Sequence, residues 1–594
     1  MGVVWTGKGR ATAVVAGIAV AVTPALAAPA QAGTTAASVR SYDATTDAGS
    51  LRTIAAAVGA TDVHAQRDAA GRALTGEGVT VAVLDSGVAP APGLDAPGKL
   101  VQGPDLSLEA DLPVDLGPDT FGHGTHLAGI VAADATGSDD PDAAEGIAPG
   151  AQVLGLKLGD SAGSTDVSQV VAALDWVVQH RADGDLDVRV VNLSYGTDSL
   201  QPYEVDPLAA AAENAWRHGI VVVASAGNGG TEPGRLTNPA IDPYVIAVGA
   251  TDAGGDVDGW DEPAVASFSQ RGTAERHVDL VAPGRSVTSL RVPGSTVDRE
   301  HPEGLVDGDE TGALFRGSGT SQAAAVVSGA AALLLQADPT LTPDEVKAAL
   351  VSTADPLPGT DRVDQGAGQL DVAAALDALP AVKAADVAQR FPEATGTGSL
   401  DAARGTSRLV DPLNGDVLAG EVDVHGSPFD AAAWATASRA GTAWDGGTWN
   451  GAQWTGNGWA AAPERADWST SRWSTSRWST SRWSTSRWST SRWSTSRWST
   501  SRWSTSRWST SRWSVDDWAT SRWSTSRWST SRWSTSRWST SRWSTSRWST
   551  SRWSTSRWST SRWSVDDWAT SRWSTSRWST SRWSTSRWST SRWS

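Results

Sequence analysis

From Trp468 to the C-terminus the unit Trp-Ser-Thr-Ser-Arg recurs every five residues. Two variants, Val515-Asp516-Asp517-Trp518 and Val565-Asp566-Asp567-Trp568, interrupt it. The stretch cannot build an aliphatic core, because its only branched aliphatic side chains are the two Val. Its period also fits no regular element. On a helix successive Trp rotate by about 140°, and in a strand an odd period sends them to alternate faces. A solenoid of five-residue faces would crowd several Trp into each layer, so residues 468–594 are expected to form a disordered or loosely β-structured ribbon. They hold 26 of the 35 Trp and 23 Arg against four Asp, while the whole chain carries −16. An acidic body therefore bears a basic, aromatic tail, and the chain cannot be one globular unit. Exposed Arg–Trp pairs are worth about 0.5–1 kcal/mol each. Repeated, they make a multivalent strip suited to polyanions such as cell-wall polymers, anionic lipid surfaces or extracellular nucleic acid.

The N-terminus favours the wall among these. Lys8 and Arg10 precede an apolar run, Ala11 to Leu26, and then Ala30-Gln31-Ala32 before Gly33. A positive segment, an apolar segment and a small-x-small site read as a secretory signal over 1–32. The run is interrupted by Thr12, Gly17, Thr23 and Pro24 and is too short to span a bilayer. The expected product is secreted, associates with the cell wall through its tail, and has no transmembrane span after cleavage. Intracellular nucleic acid is not an expected partner. The chain has no Cys, which excludes disulfides, a cysteine nucleophile and thiolate metal sites.

Residues 33–55 are small and polar and read as a linker or short pro-segment. Residues 56–378 read as one domain, in which short apolar runs alternate with longer periodic ones over 75–378. Gly78–Leu84, Ala151–Leu158, Val188–Leu193, Ile220–Ala224 and Tyr244–Val248 are apolar on both faces, as in a parallel sheet covered by helices. Asp166–His180 carries Val167, Val170, Val171, Leu174, Val177 and Val178 at helical spacing, with Asp166 as N-cap. Thr342-Pro343-Asp344-Glu345 opens another helix. The expected fold is α/β, with a mainly parallel sheet flanked by helices. Residues 379–467 lose that order and read as a linker or small Trp-containing module. Trp444, Trp449, Trp454 and Trp459 already show the five-residue spacing.

Three glycine-flanked polar residues stand at expected strand or helix ends, where open α/β sheets gather their chemistry. Asp85 closes Val83-Leu84-Asp85-Ser86-Gly87, and His123 lies in Phe121-Gly122-His123-Gly124-Thr125-His126. Ser321 lies in Gly317-Ser318-Gly319-Thr320-Ser321-Gln322-Ala323, before an Ala-rich helix, Ala323 to Leu335. A serine hydroxyl becomes a nucleophile when a base takes its proton, and imidazole is the base poised near neutrality. A carboxylate on the other ring nitrogen fixes the tautomer. Taken singly, Asp85 reads as a turn aspartate and Asn228, between Gly227 and Gly229, as a turn residue.

These segments together resemble the subtilisin-like serine proteases, whose Asp…His…Ser chain order they share. The resemblance extends to Val191-Asn192-Leu193-Ser194-Tyr195-Gly196, Ala224-Ser225-Ala226-Gly227-Asn228-Gly229, Val245–Ala250, Ser267-Phe268-Ser269 and Ala282-Pro283-Gly284. It implies a secreted endopeptidase acting on proteins or peptides. Asp85, His123 and Ser321 would be the triad, and Asn228 with the Ser321 backbone N–H the oxyanion hole. Ser194, Tyr195, Gly196, Ser225, Ala226 and Gly227 would bind substrate. Gln322 and Ala325-Val326 depart from the family's usual Met and Pro-His.

The chemistry needs no cofactor, and no metal site is assigned. His126 reads as a packing histidine, since His-x-x-His without further ligands is a weak metal signal. The run Asp134, Asp139, Asp140, Asp142 and Glu145 would suit a structural calcium, as the resemblance implies, but its spacing fits no defined motif and a solvated acidic loop is preferred. Two other functions compete. A wall-binding or adhesive protein with a degenerate peptidase body is disfavoured by the intact triad. An esterase of the α/β-hydrolase type would need Ser…Asp/Glu…His order and a G-x-S-x-G elbow. Cleavage after Arg would meet 23 sites in the tail, which favours a non-basic specificity pocket.

Overall fold

The computed structural model describes residues 42–454 apart from 111–116, 232–233, 254–259, 261–262 and 411–415. The expected signal segment and repeat tail lie outside the described residues. Within them, the strands β1 (Thr80–Asp85), β2 (Leu100–Asp105), β3 (Gln152–Lys157), β4 (Val188–Leu193), β5 (Val221–Ser225) and β6 (Ile246–Asp252) form a parallel sheet in the order β2-β3-β1-β4-β5-β6. At its far edge β6 pairs antiparallel with β7 (Ala264–Val265) and parallel with β8 (Leu280–Pro283). The strands expected from apolar runs are all present. The last starts two residues late and runs on through Gly249-Ala250-Thr251, buried residues with little apolar signature.

Parallel pairing puts the C-terminal ends of β1, β4 and β5 on one edge of the sheet, which is where Asp85, Ser194 and Ser225 lie. The helices His123–Ala132 and Thr320–Ala337 pack on each other, and the second packs on β4, β5 and β6. The helix Thr320–Ala337 is long and apolar enough to cross a membrane, but 94% of it is buried inside the domain. It begins three residues earlier than the Ala-rich run suggests, so Ser321 sits in its first turn. The helices Val167–His180 and Pro207–Arg217 also pack on each other. Asp166 and Gln169 close a capping box on the first of these, and Thr342 and Glu345 close another on Pro343–Ser352.

Described parts of two segments, one read as a linker or short pro-segment and the other as a linker or small Trp-containing module, belong to the folded body. Residues Leu51–Ala57 form a helix capped by Ser50, with Leu51 and Ile54 buried in the main core. Leu51, Ile54 and Val58 carry the helical spacing that the polar composition around them obscures. Just upstream, Asp47 grips Arg316 through two oxygens at 2.9 and 2.8 Å. Arg316 lies on the strand Leu314–Gly317, which leads into the Ser321 turn.

After the helix Val372–Ala384, the chain continues into the helix Ala431–Arg439 and a three-stranded meander, Trp444–Asp445, Thr448–Trp449 and Ala452–Gln453. Trp434, Trp444, Trp449 and Trp454 are all buried in the main core. The period of five works here because the chain reverses between successive Trp. Both hairpin loops have two residues, and Gly446, Asn450 and Gly451 take φ of 60°, 50° and 74°. Positive φ is what such turns demand, so glycine and asparagine occupy them.

Candidate active site

Asp85 ends β1, and His123 is the first residue of its helix. The imidazole Nδ1 lies 2.9 Å from Asp85 Oδ1 and 3.1 Å from Oδ2, with both side chains fully buried. A carboxylate can only accept, so Nδ1 carries the proton and Nε2 is left as the basic nitrogen. Burial pushes the Asp85 carboxyl up from its ordinary range, while His123 and the Ser86 N–H pull it back. The two turns approach so closely that a Cβ on Gly124 would sit 2.1 Å from the Gly87 carbonyl oxygen. Only glycine is tolerated there.

Asp119, which the sequence reading did not single out, ties the two halves of this pair together. Its buried carboxylate accepts from Ser86 Oγ at 2.9 Å, beside Asp85. It also accepts from Gly122 N, Thr125 N and Thr125 Oγ1 at 2.7, 2.9 and 2.6 Å, at the start of the His123 helix. This supplies helix N-terminal donors with an anion from four residues upstream of His123. The Asp-x-x-Gly-His spacing was the available signal.

Ser321 is buried in the first turn of an 18-residue helix, near its positive end. Asn228 faces the residue before it. Its Oδ1 accepts from Thr320 N at 2.8 Å and Thr320 Oγ1 at 3.1 Å. That fixes the amide orientation and leaves Nδ2 for another acceptor. Thr320 Oγ1 in turn accepts from Gly227 N at 3.1 Å. Thr320 is thus a second residue the sequence reading missed, and it locks the Asn228 loop to the Ser321 turn.

The expected substrate segments flank this turn. Ser194 Oγ donates to the Ser321 carbonyl at 3.3 Å and accepts from Asn192 Nδ2 at 3.2 Å. Tyr195 is buried, and burial, with the nearby Asp166 charge, raises its hydroxyl well above the usual phenol range. Its side chain is therefore packed in the interior rather than at the surface. Between the two segments stands Thr237. A Cβ on Gly196 would lie 2.4 Å from its Oγ1, and one on Gly227 would lie 2.7 Å from its Cγ2. Its hydroxyl lies 3.2 Å from the carbonyl oxygens of both Ser225 and Ala226.

The remaining candidates do not join the site. His126 is buried, and burial, reinforced by the charge of His123, lowers its pKa to about 3, so its ring stays neutral. In the acidic run, Asp134 accepts from Thr136 N, Asp140 from Asp142 N, and Asp142 from Ala44 N. Among the described residues no three His, Asp or Glu side chains converge on a point where a metal ion could sit.

The chain is similar to known proteins over this domain. Residues 76–370 match the model of the Subtilase family. The chain is 36% identical over 307 residues to serine protease AprX of Bacillus subtilis (strain 168), covering 51% of this chain and 66% of the relative. It is 33% identical over 297 residues to subtilisin Savinase of Lederbergia lenta, covering 50% of this chain and 90% of the relative. Among solved structures, sphericase aligns with a TM-score of 0.42 at 25% identity, over 53% of this chain and 97% of that one. By the family match and its likeness to serine protease AprX and subtilisin Savinase, the chain belongs to the subtilase family, and residues 76–370 are its subtilisin-like serine endopeptidase domain.

Proposed function

We propose that the protein is an exported serine endopeptidase working through Asp85, His123 and Ser321, with Asn228 as oxyanion donor. The observation that carries this reading is the buried Asp85–His123 hydrogen bond, in a domain where Asn228 grips the turn holding Ser321. His123 Nε2 takes the Ser321 proton as Oγ attacks the peptide carbonyl. Asp85 stabilises the imidazolium that forms, and His123 then protonates the leaving amine. Asn228 Nδ2 and the Ser321 N–H stabilise the oxyanion, each such donor being worth about 3 kcal/mol. Water repeats the sequence to release the acyl group. No cofactor enters any step.

Substrates are protein segments bound extended along Ser194–Gly196 and Ser225–Gly227. Thr237 narrows the space between those segments, which favours small or medium apolar side chains over Arg or Trp. Such a pocket would spare the 23 Arg of the tail.

A fluorophosphonate probe should label the wild type, and peptide mapping should place the adduct on Ser321. A folded wild type that takes no label and cleaves no casein would favour an adhesive protein with a degenerate peptidase body.

The tail reading rests on composition. Deleting 468–594 should release the enzyme from isolated cell walls while leaving hydrolysis of a small peptide unchanged. Equal wall retention by the truncated and full chains would refute anchoring.

A further inference from the structure

The helix Val167–His180 has a polar face that periodicity would leave to solvent, yet Ser168 and Asp175 on it are buried. The C-terminal module covers them. Asp175 accepts from the indole N–H groups of Trp434 and Trp449 at 2.7 and 2.8 Å, and from Ser438 Oγ at 2.5 Å. Ser168 Oγ accepts from Val424 N at 3.0 Å. Asp166, the N-cap of the same helix, pairs with Arg404 at 2.6 Å, and both side chains are fully buried. Arg404 spends its remaining donors on the carbonyls of Gly420 and Val422.

Arg404 also anchors a turn that touches the proposed substrate wall. Ser194–Gly196 runs directly into Thr197–Gln201. On one side Thr197 exchanges backbone hydrogen bonds with Asn238 at 3.0 and 2.9 Å. On the other, Thr197 Oγ1 donates to the Ala403 carbonyl at 2.7 Å. Asp198 accepts from Thr406 N and Oγ1 at 2.7 and 2.5 Å. Gln201 exchanges two hydrogen bonds with the Ser399 backbone at 2.8 and 3.1 Å. The fit at Gly405 is close: its φ is +57°, and a Cβ there would lie 2.2 Å from Asp198 Oδ1 and 2.7 Å from Ser199 N.

We propose that residues 399–406 brace the substrate-binding strand, so that the C-terminal module sets the enzyme's affinity for extended substrates without touching them. The proposal rests on the endopeptidase reading above. Gly405 and Thr406 are positioning residues, and the Arg404–Asp166 pair is the anchor from which they reach the wall. Without the brace, Ser194–Gly196 would have to be ordered at the expense of substrate binding, which raises KM. The triad, held by Asp119 and by the nucleophile helix, would keep its geometry.

The test uses the full chain and a tetrapeptide p-nitroanilide. Gly405→Ala wedges a methyl group against Asp198 and should raise KM about tenfold while leaving kcat within about twofold. Labelling of Ser321 by diisopropyl fluorophosphate, which needs the triad but no extended substrate, should keep its wild-type rate. Thr406→Val should move KM in the same direction by less, and Thr406→Ser, which restores the hydroxyl, should return it. An unchanged KM in Gly405→Ala would overturn the brace. So would a parallel fall in kcat and labelling rate, or a Thr406→Ser variant no better than Thr406→Val. A wild type inert to both substrate and label would overturn the endopeptidase reading, whatever the variants do.

Discussion

Ser321→Ala should lower kcat for peptide hydrolysis by about 10⁶-fold, the scale measured for loss of the equivalent serine in subtilisin. The size follows from the division of labour at the site. In the proposed mechanism Ser321 supplies the attacking oxygen, and the hydroxyls of Ser194 and Thr320 are held elsewhere. Ser194 Oγ is committed to the Ser321 carbonyl, and Thr320 Oγ1 to Gly227 and Asn228. The residual rate would come from the oxyanion donors and substrate binding, about 10³–10⁴ over water in triad enzymes. His123→Ala should lose about as much, and the double variant should be no worse than either single one, because the residues act as a unit. Stopped assays on a chromogenic peptide, with active-site titration of the wild type, measure all three. Retention of most of the activity by Ser321→Ala would remove Ser321 from the chemistry. Folding should be unaffected, since the substitution sits at the second position of an 18-residue helix and alanine is the best helix former.

Much of this site was legible in the chain. Strands apolar on both faces announced a covered parallel sheet, and Asp85, His123 and the Ser321 turn stand at element ends as their glycines suggest. What escaped were residues whose role is to hold others. Thr320 bonds Gly227 and Asn228, 93 and 92 positions away, which no local pattern reports, and for Asp119 the Asp-x-x-Gly-His spacing signals the bonds to Gly122 and Thr125 but not the one to Ser86, 33 positions away. The limits of the body were misread for a related reason. Residues 33–55 read as a linker or short pro-segment because small polar residues surround Leu51 and Ile54, yet the helix Leu51–Ala57 buries those side chains and Asp47 grips Arg316. The C-terminal module was obscured by its Trp period. Counting every fifth residue assumes a continuous helix or strand, whereas between Trp444 and Trp454 two tight turns reset the direction of the chain. The module's hold on Asp175 was equally hidden, because an aspartate on a polar helix face reads as solvated until the indoles that bind it are placed.

Asp85→Asn should cost about 10⁴-fold in kcat, with KM little changed. Asp85 does not receive the proton in the mechanism, and the loss would come from the tautomer it enforces. As a carboxylate it accepts from Nδ1–H, which leaves Nε2 as the basic nitrogen that the proposed mechanism uses. Asp85 Oδ1 accepts from the Ser86 N–H at 2.7 Å and lies 2.9 Å from Nδ1, with Oδ2 at 3.1 Å, so an asparagine that keeps its oxygen on the Ser86 N–H replaces the second acceptor with an NH₂ group that donates toward the ring. The ring would then flip its proton to Nε2 in order to accept, and a protonated Nε2 cannot take the Ser321 proton. The negative charge that balances the imidazolium would be gone as well. Stability should move the other way or not at all. Burial raises the Asp85 carboxyl above its ordinary range, so at neutral pH the fold bears the cost of keeping it ionised, and the neutral amide relieves that cost. A thermal midpoint equal to or above that of the wild type, together with a collapse in kcat, is the expected pair of results. An NMR measurement of the His123 ring should find the proton on Nδ1 in the wild type and on Nε2 in the variant. Wild-type kcat in a folded Asp85→Asn enzyme, or the same tautomer in both, would show that the buried carboxylate does not govern the base.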